Sequence, residues 1–303
     1  MKLTHILYKI VIKIWEYNPF KKETALFFKT TNIPLKKIKN DLWFNGSFSV
    51  NYFNTKFKLI SQKDDKSTLS IFWDNLDKGW DAKSIEIWGK LAKSSDIIFD
   101  IGSNIGLYAI AAKTINGNSI VYAFEPSRKM INILNKNIEV NRLAINVAQI
   151  ALTNFNGQLD FYDLDSPTAV ASLKLNQNLK SNENLISYKV NTSTLLSFVE
   201  EKNIQKIDLI SIDVEMNEPE VLEGMGHLIE KFRPNFIIEV LNNEMGQRIE
   251  SFFNDLDYLY FSIDEINGLT KQNKIARLND LNVNHSFNFL VCSHKSAIHL
   301  NLL

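Results

Sequence analysis

One cysteine, Cys292, stands in a chain of 303 residues. A lone thiol excludes an intrachain disulfide and fits a reducing, cytoplasmic setting. Histidine is scarce too. The five present show no HxH, HxxxH or Cys/His spacing, so nothing resembles a zinc site built on nitrogen or sulfur. Excess charge of either sign is missing, with 34 basic against 34 acidic residues. A protein devoted to nucleic acid carries clustered positive charge, so that class of partner is not expected. No apolar run is long enough to span a bilayer. The N-terminal stretch "MKLTHILYKIVIKIW" is apolar, but Lys9 and Lys13 interrupt it, which a signal peptide would not tolerate. No internal repeat is present.

What is there is an ordinary globular composition, 45% hydrophobic and 22% charged. Leu3, Ile6, Leu7, Ile10, Val11, Ile14 and Trp15 follow helical spacing, with Lys2, Lys9 and Lys13 on the other face. That helix packs on its own domain or a second subunit, or it rests on a membrane surface through residues 1–15; both readings stay open. Phe48, Val50 and Tyr52, then Phe57 and Leu59, alternate as a hairpin around Asn54-Thr55. From residue 96 onward strand-like and helix-like segments alternate, from "DIIFDI" to "FNFLVCS". Near-continuously apolar strands separated by helices imply a mostly parallel sheet covered on both faces. The division expected is an N-terminal extension, 1–80, and a catalytic domain, 81–303. "INVAQIAL" reads as one strand. The polar segment 163–186 reads as a long loop or insert, of the kind that often recognises ligands.

The stretch "FDIGSNIGLYA" ends the first strand of the alternating region at Asp100 and turns through Gly102 and Gly106. In a doubly wound sheet, ligands bind at such carboxyl ends. A dinucleotide fingerprint aligned on Gly102 would need glycine where Asn104 and Leu107 stand, and no G-K-[ST] follows. The loop therefore suits a ligand without phosphate. Glu125, in "AFEPS", ends the next strand. Asp100 could meet an ammonium group and Glu125 a ribose diol, a combination that points to S-adenosylmethionine.

These segments together resemble the FkbM-type S-adenosylmethionine-dependent methyltransferases. "FDIGSNIGLYA" is similar to that family's glycine loop, "AFEPS" to its second-strand motif and "NILNKNIEVN" to the following helix. "IDLISIDVEMNEPEVLEGM" is similar to its most distinctive segment, close to I-D-L-I-K-I-D-V-E-G-A-E-x-x-V-L-x-G. Ser211 replaces the usual Lys, Met216 and Asn217 the usual Gly-Ala, and Leu196 a common Asp. The resemblance, over roughly residues 80–295, implies a three-layer α/β/α Rossmann-like fold. Its sheet has seven strands, the last one antiparallel. It also implies methylation of hydroxyl groups on sugars, glycolipids, polysaccharides or natural products.

The expected cofactor contacts are Asp100, Gly102, Ser103, Asn104, Gly106, Glu125, Pro126, Ser127, Ala151 and Leu152. The acceptor hydroxyl benefits from a general base, and the candidates at later strand ends are Asp213, Glu215 and Glu239. Glu218 reads as a helix cap. Asp213, Glu239 and Asn242 would form an all-oxygen divalent-cation site if one exists, but metal-free base catalysis is the reading adopted. The insert 163–186 and the hairpin 44–60 are expected to recognise a small-molecule or glycan acceptor. Tyr52, Phe53, Trp73 and Trp80 are either stacking platforms or core. His227 is expected to be structural. A homo-oligomer is compatible with all of this. A nicotinamide oxidoreductase and a non-catalytic S-adenosylmethionine-binding protein are the competing readings.

Overall fold

The computed structural model describes residues 2–31, 38–63, 65–164, 171–174, 184–276 and 287–303. Two helices open the chain, α1 (Lys2–Tyr17) and α2 (Lys21–Thr30). They are followed by the hairpin β1 (Gly46–Tyr52) and β2 (Thr55–Ser61), then α3 (Lys66–Asp74) and α4 (Ala82–Ala92). The hairpin has the alternation read from sequence: Phe48, Val50, Tyr52, Phe57 and Leu59 are all buried. Its turn is tighter than expected, because Tyr52 pairs directly with Thr55 and Phe53 takes a left-handed conformation at φ 48°.

The central sheet gathers β3 (Ile97–Ile101), β4 (Ile120–Phe124), β5 (Asn146–Ala148), β9 (Leu209–Ile212), β10 (Asn235–Glu239), β11 (Leu259–Asp264), β12 (Gly268–Gln272) and β13 (Asn288–Cys292). Their order is β12-β11-β13-β10-β9-β3-β4-β5. β3, β4, β5, β9 and β10 run parallel, and β13 is antiparallel to β10. The last strand is thus antiparallel as expected, but the sheet has eight strands. The extra one is β12, which folds back on β11 as an edge hairpin through Gly268. Its half-exposed residues lack the apolar run that marks the inner strands.

A second correction concerns "INVAQIAL". The chain leaves the central sheet after β5, and β6 (Ala151–Leu152) joins a separate sheet of order β6-β8-β7. Its partners are β7 (Gly157–Leu164) and β8 (Leu185–Ser193). β8 begins within the segment read as an insert. Its outer face is polar, so it lacks the hydrophobic signal of a buried strand. Residues 165–170 and 175–183 of that insert lie outside the described residues.

Alternation within the strands separates two cores. Phe99, Ile101, Ile210, Ile212, Phe236 and Ile238 face one helical layer, made of α7 (Leu195–Glu201), α8 (Glu218–Met225), α9 (Leu228–Phe232) and α10 (Asn243–Ser251). Ile98, Val121, Ala123, Leu209 and Ile237 face the other, where α4, α5 (Leu107–Ile115), α6 (Arg128–Asn141) and the N-terminal hairpin share one hydrophobic cluster. Polar contacts add to that junction. Ile60 N–H donates to Asn137 Oδ1 at 2.8 Å, and Lys58 N–H to Asn141 Oδ1 at 2.7 Å. The chain ends on the short helix α11 (His294–His299).

In α1, Trp15 is buried and its indole N–H donates to Trp43 O at 2.7 Å. Ile10, Ile14 and Tyr17 form an exposed stripe beside exposed Lys9 and Lys13. No described helix is long and apolar enough to cross a membrane.

Candidate active site

Strand parity places the strand-end acids. Asp100 shares its face with Ile98. The same alternation, carried one step past the strands, puts Glu125 with Ala123 and Asp213 with Leu209, while Glu239 ends β10 on the face of Ile237. All four line one cleft of about 180 Å³ at the carboxyl ends of the parallel strands, the position that this topology offers to ligands.

The loop after β3 is held by its own hydrogen bonds. The N–H groups of Gly102 and Ser103 both donate to Phe124 O at 3.0 Å, and that of Gly106 to Ser103 O at 2.7 Å. The Asn104 N–H donates to Glu125 Oε2 at 2.8 Å. With these four donors spent, the loop offers no nest to a phosphate. Gly102 is obligatory for two reasons. It sits at φ 83°, and a Cβ there would lie 1.7 Å from Asp213 O. The glycine that matters most therefore lets β3 and β9 approach each other at their ends. Asn104 takes φ 50°, which asparagine tolerates. Its Oδ1 is buried without a partner, and a buried orphan acceptor calls for a donor from elsewhere.

Glu125 Oε1 also accepts the Ser127 N–H at 2.7 Å. A carboxylate has about four acceptor sites, so two remain for a ligand. Asp100 Oδ2 accepts the Ala109 N–H at 2.9 Å, and Ser103 Oγ donates to Asp100 O at 2.7 Å. Burial pushes both carboxyls up to about 7, against the pull of these backbone donors.

Of the other expected cofactor residues, Pro126, Ala151 and Leu152 line the cleft. Ser127 does not. It caps α6 by accepting the Met130 N–H, and its hydroxyl donates to Asp163 Oδ2 at 2.9 Å. Gly106 lies behind the wall, at the start of α5. Asn242 is likewise committed, since its Oδ1 caps α10 by accepting the Met245 N–H at 2.9 Å. Of the four expected aromatic platforms only Trp80 lines the cleft, at 51% exposure. Tyr52 is core, with its hydroxyl donating to Ile85 O at 2.8 Å. Trp73 packs against the same core, and Phe53 lies under the Lys93 ammonium. His227 is exposed at the start of α9 and is not among the residues that line the cleft.

At the acceptor end the carboxyls crowd one another. Asp213 is solvent-open within the cleft, and burial of the surrounding walls raises it to about 6. Glu239, whose carboxyl lies close to that of Asp213, is pushed well above the usual range, by burial first and then by the charges of Asp213, Glu215, Glu218 and Asp81. In such a pair Glu239 holds its proton at a pH where Asp213 has released its own. Glu215 rises to about 8 through burial and the neighbouring Asp213 charge.

Glu218 is more than a helix cap. It is fully buried, its Oε1 accepts the Val214 N–H at 2.9 Å, and its Oε2 has no partner. Burial raises it to about 7. One oxygen each from Asp213, Glu218 and Glu239 lies within 4.8 Å of the others, so Glu218 rather than Asn242 completes this oxygen cluster. Sequence reasoning passed over Asp81, which also lines the cleft. The signal for it was weak, a single acid between "KGW" and a helix.

The sequence profile described as "Methyltransferase FkbM domain" matches residues 100–260, just over half of the chain. The chain belongs to that family of methyltransferases. Among curated relatives, the hexuronic acid methyltransferase AglP of Haloferax volcanii is 28% identical over 147 residues, covering 48% of this chain and 56% of that protein. The 31-O-demethyl-FK506 methyltransferase FkbM of Streptomyces tacrolimicus is 29% identical over 157 residues, covering 44% and 60%. The chain thus spans less than two thirds of the length of these relatives. Among solved structures, an FkbM methyltransferase from Methylobacillus flagellatus aligns with a TM-score of 0.41 at 12% identity, over 65% of this chain and 43% of that one.

Proposed function

We propose that this chain is an S-adenosylmethionine-dependent O-methyltransferase acting on a hydroxyl of a sugar, glycolipid or natural-product acceptor. The observation that carries the reading is the pair Asp100 and Glu125 at adjacent strand ends, around a glycine loop whose N–H groups are already spent. That arrangement suits a nucleoside bearing an amino acid and disfavours a pyrophosphate. Family membership supports the same cofactor class. The names of the relatives, one acting on a hexuronic acid and one on a 31-O-demethyl compound, support transfer to oxygen on a sugar or natural product.

The cofactor, when bound, supplies an electrophilic methyl group on a sulfonium. The chain's own residues then have three tasks. Glu125 receives the ribose hydroxyls through its two remaining acceptor sites, and Asp100 keeps one oxygen for an ammonium group. Asn104 Oδ1 accepts a ligand donor. Asp213, the most acidic member of the acceptor-side cluster, is ionised near neutral pH and takes the acceptor proton as general base. Glu239 retains its own proton beside Asp213. Positioning for in-line approach supplies much of the remaining acceleration.

Thermal-shift titrations with S-adenosylhomocysteine and with NAD test the cofactor assignment. S-adenosylhomocysteine raises the melting temperature, NAD does not, and Glu125→Ala abolishes most of the shift. A shift with NAD alone would transfer the reading to oxidoreductases. A shift with S-adenosylhomocysteine but no methyl transfer across a broad sugar and lipid panel would favour a binding protein.

A further inference from the structure

Asp81 stands at the N-cap position of α4, but its side chain does not cap that helix. Glu265 does the capping in its place. Glu265 Oε2 accepts the N–H groups of Lys83 and Ser84 at 2.6 and 3.2 Å, and Ser84 Oγ donates to Oε1. Asp81 is thereby released into the cleft, where it accepts from Tyr108 OH at 3.3 Å and lies beside the half-exposed indole of Trp80. Backbone at φ 52° holds it there, a conformation that costs an aspartate something and that capping α4 does not explain.

Six carboxylates line this cleft: Asp81, Asp100, Glu125, Asp213, Glu215 and Glu239. No Lys, Arg or His joins them among the described residues. Two further observations show that the acceptor side lacks a partner. The Oε2 atoms of Glu218 and Glu239 are both buried with nothing to bond, and an unmatched buried acceptor is costly. S-adenosylmethionine brings a single net positive charge, which leaves the acids of the acceptor side, Asp81, Asp213, Glu215 and Glu239, without a cation to face. An aromatic face next to carboxylates is also a setting that binds ammonium groups, through the ring quadrupole and charge together.

We propose that the acceptor is cationic, an amine-bearing sugar or similar hydroxyl compound whose ammonium group sits by Trp80 and Asp81, with Glu239 and Asp213 beyond. This rests on the methyltransferase reading and narrows its substrate class. An acceptor carrying a carboxylate or phosphate would meet acids only and be excluded by repulsion. Asp213 thus serves as base for the hydroxyl, while Asp81, pushed well above its usual range by burial and by the charges of Glu265 and Asp213, gives up its proton when the ammonium group is seated beside it.

The test uses the full chain saturated with S-adenosylhomocysteine, at about pH 6.5 so that a sugar amine is protonated. Glucosamine, glucose and glucuronate are titrated separately by calorimetry. Glucosamine binds about tenfold or more tightly than glucose, and glucuronate binds most weakly. Asp81→Asn removes most of the preference for glucosamine while leaving the S-adenosylhomocysteine shift in place. Trp80→Ala, at a half-exposed site where folding is not at stake, weakens glucosamine in the same direction. Equal binding of glucose or glucuronate, or no binding of glucosamine, overturns the proposal. So does stabilisation by magnesium in place of the amine, which would make the acids a cation site. Absence of any S-adenosylhomocysteine shift is a different failure, that of the methyltransferase reading itself.

Discussion

Replacing Glu218 with Gln should stabilise the protein, and by an amount that grows with pH. Glu218 is fully buried and raised from 4.5 to about 7. A carboxyl whose folded pKa lies above its unfolded value keeps its proton in the native state while the unfolded chain releases it. Stability is therefore undiminished below about 4.5, falls as pH rises between the two values, and carries the full penalty above about 7. Each unit corresponds to about 1.4 kcal/mol, so ionisation of Glu218 costs at most about 3 kcal/mol at pH 8 and about 1 kcal/mol at pH 5. Glutamine keeps the acceptor that holds the Val214 N–H and never ionises. Urea unfolding of Glu218→Gln and the parent at pH 5 and 8 should show a stability gain that is larger at pH 8 by about 2 kcal/mol. A gain equal at both pH values would mean that packing, not charge, separates the variants, and the electrostatic account of the acidic cluster would fail.

Asp213→Asn should lower methyl transfer by about 10²- to 10⁴-fold, the usual contribution of a general base, with S-adenosylhomocysteine binding retained. In the parent enzyme kcat should climb as pH rises through about 6, because the base acts only when ionised. Loss of Lys174 should destabilise the parent but matter less once Met216 is glycine; a double-mutant cycle in urea should return a coupling of about 0.5 kcal/mol or more, and strict additivity would refute the link.

Much of the fold was legible because the buried strands declare themselves. "IIF", "LISI" and "FII" are near-continuously apolar, and each leads into an acid that lines the cleft. The hairpin was equally clear from its alternation. β8 and β12 were not, since strands exposed along one face or at a sheet edge need no apolar run. At the site, spacing along the chain marked Asp100, Glu125, Asp213 and Glu239. It could not separate Ser127, consumed by Asp163 and its own helix, from a ligand contact. Nor could it reveal Asp81, which reaches the cleft only because Glu265, 184 positions later, takes over its helix. Pairings of that kind are set by tertiary approach and leave no local pattern.

The same distinction explains the departures at Met216 and Asn217. Glu215 and Met216 both take left-handed conformations, φ 55° and 80°, where glycine would enter freely and other residues pay about 1–2 kcal/mol each. Asn217, by contrast, is buried and donates to Leu152 O at 3.4 Å, tying the loop to β6. The strained pair is held from outside. Ser172 Oγ donates to Glu215 O at 2.6 Å, and Lys174 Nζ donates to Met216 O at 2.8 Å while pairing with Glu220 at 3.0 Å. Ser172 is itself bridged to Tyr162 of β7. The segment 172–174 therefore joins the small sheet to the loop that carries Glu215. A methionine in this left-handed position is held by a neighbouring lysine that binds its carbonyl. The departure is compensated within the fold, and it leaves the acids on either side, Asp213 and Glu218, in one cluster.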